Sequence, residues 1–424
     1  MRRGLLRVRK LAVWGCLLGA SAFAVACGGG DDDGGSSSSS SGGGGGKTLN
    51  VYSSLPLQGA SRPQSEDVIN GEKLALKQRG NKAGDFKIKY ISLDDATAAA
   101  GQWDPGQTTS NARKVAQDKS AIALLGEFNS GASVLSIPIT NEAGILQVSP
   151  SNTRYGLTKS GTGAEKGEPD KYYPSGKRNY GRVVPIDTIQ GAALAQWMKD
   201  LGVKSVYILN DKQVYGQGIA KNTEAALGPT GIKVAGRDGW DGKASNFRAL
   251  ANKIKATGAD AVFTGGILQN NGPQLYKDLS AALPNAKLIG PDGFTDETFT
   301  KELPASVQTQ TYLTVPTVAP DELPPEGQKF YKDYEVEYGK KPEQVAPYAV
   351  YGYEAMLTVL DAIAKGGDDR QAVIDAFFAT KKTESVFGPY EIDDDGDTTL
   401  TTYGAYRVKD GKLVFDRVIK GSGS

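Results

Sequence analysis

The chain of 424 residues contains no histidine. That excludes every catalytic arrangement built on an imidazole base and every His-ligated metal site. Cysteine is nearly as scarce: Cys16 and Cys27 are the only two, and both fall in the first 27 residues. The rest of the chain can form no disulfide and offers no thiolate as nucleophile or soft-metal ligand. It must hold together by its core, and it is long enough to build a substantial one. Residues 11–25 are apolar but fall short of the roughly 20 residues a membrane span needs, and no later run is long enough either. An excess of positive charge is also missing. Residues 1–27 hold five of the 49 Lys and Arg and no carboxylate, so the remainder carries 44 against 48 Asp and Glu, a net charge near −4. That balance argues against nucleic acid as a partner.

What is present begins with a targeting segment. Arg2, Arg3, Arg7, Arg9 and Lys10 form a basic start, and the apolar stretch that follows ends in Ala24-Val25-Ala26-Cys27. This ending resembles a bacterial lipobox, which implies that residues 1–26 are a lipoprotein signal peptide and that Cys27 is lipidated. Residues 28–46 are Gly, Asp and Ser almost throughout, a composition that cannot bury a core. A flexible coil of this length spans roughly 24 Å, which suits a disordered tether holding a folded body off a membrane.

From residue 48 onward apolar runs alternate with helical patterns. Strands are expected at 49–53, 86–93, 121–125 and 145–148, with helices at 64–79, 108–118 and 132–143 between them. Residues 161–182, polar and rich in Tyr and Gly, read as a surface excursion. The alternation resumes with strands at 205–209, 232–235, 261–264, 288–289 and 312–315, separated by helices at 217–227, 247–257 and 273–283. Three helical stretches follow, at 327–338, 346–365 and 370–380, and strands at 390–392, 403–408 and 413–419 close the chain. Two βα series imply an α/β fold with two doubly wound, Rossmann-like lobes.

The chemistry-bearing residues cluster after strands. Residues 121–153 contain two apolar runs, each ending in a loop rich in hydroxyls and amides. In an open parallel sheet such loops lie side by side at the carboxyl edge, where ligands bind. Ser130, at the mouth of a helix, can offer a hydroxyl and an N–H to an anion. Ser151 and Thr153 lie in the neighbouring loop. Tyr215 and Asp292 follow strands of the second series. Hydroxyls on one lobe and a carboxylate on the other could hold a zwitterion between them. Singly, each residue also reads as a cap, a turn or a packing residue. Residues 393–397 are Asp-Asp-Asp-Gly-Asp, superficially a calcium loop, but the twelfth position in that register is Thr402 rather than Glu, which favours an acidic hairpin turn. Gly265-Gly266 does not open a dinucleotide fingerprint. No motif proposes a reaction.

Five segments carry a family resemblance: Leu93-Asp94-Asp95; residues 144–153, GILQVSPSNT; residues 210–218, NDKQVYGQG; residues 290–293, GPDG; and residues 387–397, FGPYEIDDDGD. In this order and spacing the chain resembles the type I periplasmic binding proteins of the leucine/isoleucine/valine-binding kind. The resemblance implies two lobes that close on a small ligand and are linked by three crossovers, near residues 183–185, 313–316 and 388–390. One lobe would comprise residues 47–183 and 315–388, the other 184–314 and 389–421. It implies that Ser130 and Thr153 bind a carboxylate, that the Ser151 carbonyl and Asp292 receive an ammonium, and that Tyr215 forms a pocket wall. Phe128, Asn129, Gln64 and Ile267 complete the expected contacts. Gln64 and Ile267 stand where the family carries aromatics, and Asn129 with the 96–107 loop stands where it carries a disulfide. The expected protein is an extracytoplasmic, lipid-anchored, monomeric receptor without a cofactor. It would deliver an amino acid or related polar solute to an ABC permease. The alternatives are a receptor for urea or a short amide, or the sensing subunit of a signalling system.

Overall fold

The structure, a computed structural model, describes residues 46–421. The expected signal peptide, Cys27 and nearly all of the tether lie outside the described residues. Two twisted sheets organise the body. The first runs in the order Lys82–Ala83, Phe86–Asp94, Thr48–Leu55, Ala121–Gly126, Leu146–Ser149, Tyr180–Arg182, and every pairing is parallel except that of the short Lys82–Ala83 edge. The second runs Lys233–Gly239, Ser205–Asn210, Ala261–Gly265, Lys287–Gly290, Thr311–Val315 in parallel, then Thr402–Lys409 and Lys412–Lys420 antiparallel. In both sheets the first strand of the series lies inside, with the second on one side and the third on the other. That reversal opens a crevice at the carboxyl edge.

The central parallel strands are buried on both faces because helices cover both, whereas the outer ones, Phe86–Asp94 and Lys233–Gly239, keep exposed positions. Ala121–Gly126 and Ala261–Gly265 are buried at every position. The last two strands form an antiparallel hairpin whose turn places Asp410 and Gly411 at φ of 52° and 71°. These angles suit a tight reversal of the kind an Asp-Gly pair supplies.

The chain passes between lobes three times. Val183 and Val184 belong to the first core and Ile186 to the second. After Thr311–Val315 the chain returns, and the helices Pro325–Tyr338, Ala349–Gly366 and Arg370–Phe378 pack onto the first lobe. Ala349–Gly366 lies close against the helix Arg62–Gln78. A Cβ at Gly71 would fall 2.2 Å from the Ala349 carbonyl oxygen, and one at Gly352 would fall 2.4 Å from that of Val68, so this approach requires glycine at both positions. The last passage comes later than residues 388–390: Tyr390 and Ile392 still pack in the first core, and Tyr403 is the first residue back in the second.

Residues 161–182 are a surface excursion only in part: 165–167, 170–171 and 174–177 are exposed, but 172–173 and 179–182 are buried. Tyr180–Arg182 is the edge strand of the first sheet. Tyr172, Tyr173 and Tyr180 form a buried cluster with Ile137 and Leu157. The polar composition misleads at two positions, Glu168 and Arg182, whose charges are paired inside. Arg154 makes a two-pronged bond to Glu168 at 3.0 and 2.9 Å, and Arg182 Nε donates to Asp397 at 2.7 Å. The acidic turn at 393–397 likewise faces protein cations: Lys159 Nζ lies 2.9 Å from Asp393 and 2.7 Å from Asp395.

Candidate ligand-binding cleft

The carboxyl edges of the two sheets face each other across a cleft. Gln64, Phe128, Asn129, Ser130, Ser151, Thr153, Tyr215, Ile267 and Asp292 all line it, together with Ser61, Leu268, Gln269, Gly293 and Tyr348. The structure therefore gathers all nine residues expected there.

On the first lobe, two loops are stitched into one surface. The Phe128 carbonyl accepts from Ser151 Oγ at 3.0 Å and from Asn152 Nδ2 at 2.7 Å. The Ser149 hydroxyl donates to the Glu127 carbonyl at 2.8 Å and accepts from the Asn152 amide at 2.8 Å. These bonds fix the start of the helix Ser130–Glu142. The Ala132 and Ser133 amides donate to the Asn129 carbonyl at 3.0 and 3.1 Å, which leaves the Ser130 and Gly131 N–H groups without an intrahelical acceptor. Asn129, at its cap, makes no side-chain capping bond. The Trp103 ring, on the short hairpin Ala96–Thr97/Gln102–Trp103, covers Gly131 from behind. Ser130, Ser151 and Thr153 are all buried at the cleft wall.

On the second lobe, Asp292 follows the Lys287–Gly290 strand and opens a single turn of 3₁₀ helix. Its carboxylate accepts from Tyr215 Oη at 2.8 Å and from Tyr348 Oη. Burial pushes the Asp292 carboxyl above its ordinary range, while the Tyr348, Tyr215 and Gln190 side chains act against that shift. The same carboxylate, added to burial, drives both tyrosine hydroxyls well above theirs. Asp292 is thus a buried acceptor whose ionised form gains from a cation.

Tyr348 immediately precedes the helix Ala349–Gly366 and packs edge-on against Phe128, with ring centroids 5.6 Å apart. It belongs to the first lobe's core, so its bond to Asp292 spans the cleft. Gln269 Nε2 donates to Ser61 Oγ at 2.5 Å and spans it a second time. The structure is a closed form. Sequence reasoning missed Tyr348 because its place depends on a helix that returns from the other lobe. Gln269 and Ser61 carried a weak signal: each lies within three residues of an expected contact.

Comparisons with known proteins agree with this geometry. A family model described as periplasmic binding protein matches residues 53–412. The chain is 27% identical over 361 residues to an amino acid binding protein of Pseudomonas aeruginosa, covering 84% of this chain and 88% of that one. It is 27% identical over 363 residues to the Leu/Ile/Val-binding protein homolog 1 of Brucella suis, covering 84% and 89%. Among solved structures it matches the leucine binding protein LivK of Thermotoga maritima with a TM-score of 0.76 at 22% identity, over 88% of this chain and 99% of that one. LivJ of Streptococcus pneumoniae, in complex with isoleucine, gives 0.74 at 21% over 88% and 100%. A solute binding protein of R. palustris in complex with benzoate gives 0.73 at 20% over 89% and 98%.

Proposed function

Since the chain belongs to the periplasmic binding protein family, we propose that it is an extracytoplasmic receptor that closes on a small zwitterion, an α-amino acid, and presents it to an ABC permease. The observation that carries this reading is the placement of Ser130 and Thr153 on one wall and Asp292 on the other, within one enclosed cleft. A ligand carboxylate would accept from the two hydroxyls and from the free N–H groups at the head of the Ser130–Glu142 helix. Its ammonium would meet Asp292, with the Ser151 carbonyl as a second acceptor. Tyr215 and Tyr348 already hold the Asp292 carboxylate in place, so little ordering remains to be done on binding. No bond is made or broken in this reading; the protein binds and releases. The Cys27 anchor and the tether would keep the receptor at the cell membrane near its permease.

Asp292→Asn tests the reading. In a closed cleft, removing one partner of a buried charge pair costs roughly 2–5 kcal/mol. Affinity for the amino acid that most raises the melting temperature should therefore fall more than tenfold, since about 1.4 kcal/mol is a decade. Calorimetry with an unchanged affinity would leave Asp292 as an acceptor for two tyrosines and nothing more.

A further inference from the structure

The zwitterion reading uses part of the cleft lining. The remaining lining includes Ser61, Gln64, Phe128, Asn129, Ile267 and Gln269. Three of these six are carboxamides. Gln269 is occupied by Ser61, but the other two amides carry orphaned atoms. Gln64, 7% exposed near the start of the Arg62–Gln78 helix, has no acceptor for Nε2, and Asn129 has no donor for Oδ1. A buried donor and a buried acceptor therefore line the same cleft, both unsatisfied. Such pairs are uncommon in folded proteins and call for a partner.

Resting on the zwitterion reading, we infer that the part of the cleft lined by Gln64 and Asn129 takes a ligand side chain ending in a carboxamide, so that asparagine is bound in preference to leucine. These two side chains have the same number of heavy atoms and nearly the same shape. They differ in that asparagine carries one C=O and one NH₂ where leucine carries two methyls. Its C=O can accept from Gln64 Nε2 and its NH₂ can donate to Asn129 Oδ1. Leucine would shut both groups away from water without replacing their bonds, which a closed pocket penalises. The complementarity survives if the oxygen and nitrogen of both protein amides exchange places, because the ligand amide can turn with them. Phe128 and Ile267 supply apolar contact for the methylene and the amide plane.

Calorimetric titration of the purified protein with asparagine and with leucine tests this directly and needs no variant. Asparagine should bind at least tenfold more tightly. Gln64→Leu should lose most of that preference and leave leucine bound as well as before or better, with a melting temperature that shows the fold intact. Equal or tighter binding of leucine by the unmodified protein overturns the inference and leaves the receptor reading standing. An asparagine preference that persists undiminished in Gln64→Leu also overturns it, because the amide is then not the reader. Binding of none of the twenty amino acids overturns both.

Discussion

Raising the pH from about 5 to about 8 should destabilise this fold, and Asp95→Asn should remove a good part of that dependence. Asp95 follows the Phe86–Asp94 strand and Glu127 follows Ala121–Gly126, one step before the binding loop. Both are fully buried and face each other, with the Ser54 and Ser136 hydroxyls on the Glu127 side. Burial pushes Asp95 up to about 7. Burial and the Asp95 charge together push Glu127 well above the usual carboxylate range. Two carboxyls so placed share a proton rather than ionise together. The folded protein thus holds protons that the unfolded chain has released, and stability falls as pH rises through the interval between the two affinities. Each proton kept in this way contributes a slope of about 1.4 kcal/mol per pH unit. Asp187, raised to about 7, and Glu72, raised to about 8, both by burial, act in the same direction. The opposing groups act elsewhere. Burial works against them, yet their hydrogen-bond donors hold Asp118 and Glu168 below their ordinary range, so their stabilisation is lost only at more acid pH. Urea midpoints measured across this range should be highest near pH 5 and should fall less steeply in Asp95→Asn. A variant with the unmodified protein's slope would show that the pair holds no extra proton.

The fold was legible where burial is one-sided or complete. Ala121–Gly126 is an uninterrupted apolar run and Ala261–Gly265 is broken only by Thr264, and both are buried throughout. The helix Asp187–Asp200 gave no such signal. Its burial runs nearly all the way round, including Gln190, Gly191 and Asp187 as well as Leu194 and Trp197, so no amphipathic period exists to be read. Residues 161–182 were legible only in part: Lys166, Asp170 and Lys177 are solvated as their composition suggests, but Glu168 and Arg182 are paired inside with Arg154 and Asp397. The cleft was legible because doubly wound sheets bring strand ends together wherever the strands lie in the sequence. Ser130 and Asp292 could each be placed at the carboxyl edge of its own sheet from strand positions alone. Tyr348 could not, since nothing local says which lobe its helix covers. Nor could the unsatisfied state of Gln64 and Asn129, which depends on what fails to reach them across space.

Two further expectations concern the ends of the molecule and its hinge. Cys27→Ser should release the protein from the membrane fraction into the soluble one; an equally membrane-bound and normally processed variant would remove the lipid anchor from the proposal. Arg182→Met should cost about 3–5 kcal/mol, the price of stranding one member of a buried ion pair. Arg182 is fully buried where the chain first leaves the first lobe. It donates to Asp397, at the last passage, and to the carbonyls of Asn152 and Arg154, beside the binding loop, at 3.1 and 2.8 Å. Asp397, 2% exposed, would keep only Thr158 at 3.0 Å and Lys159 at 3.6 Å. Removing both charges, in Arg182→Met with Asp397→Leu, should restore part of the loss, because the larger share of it belongs to the carboxylate left behind. A single variant costing less than about 1 kcal/mol in urea unfolding would place this pair with ordinary surface salt bridges. The two crossings would then owe their connection to backbone bonds such as that from the Arg182 amide to the Gly396 carbonyl at 2.9 Å.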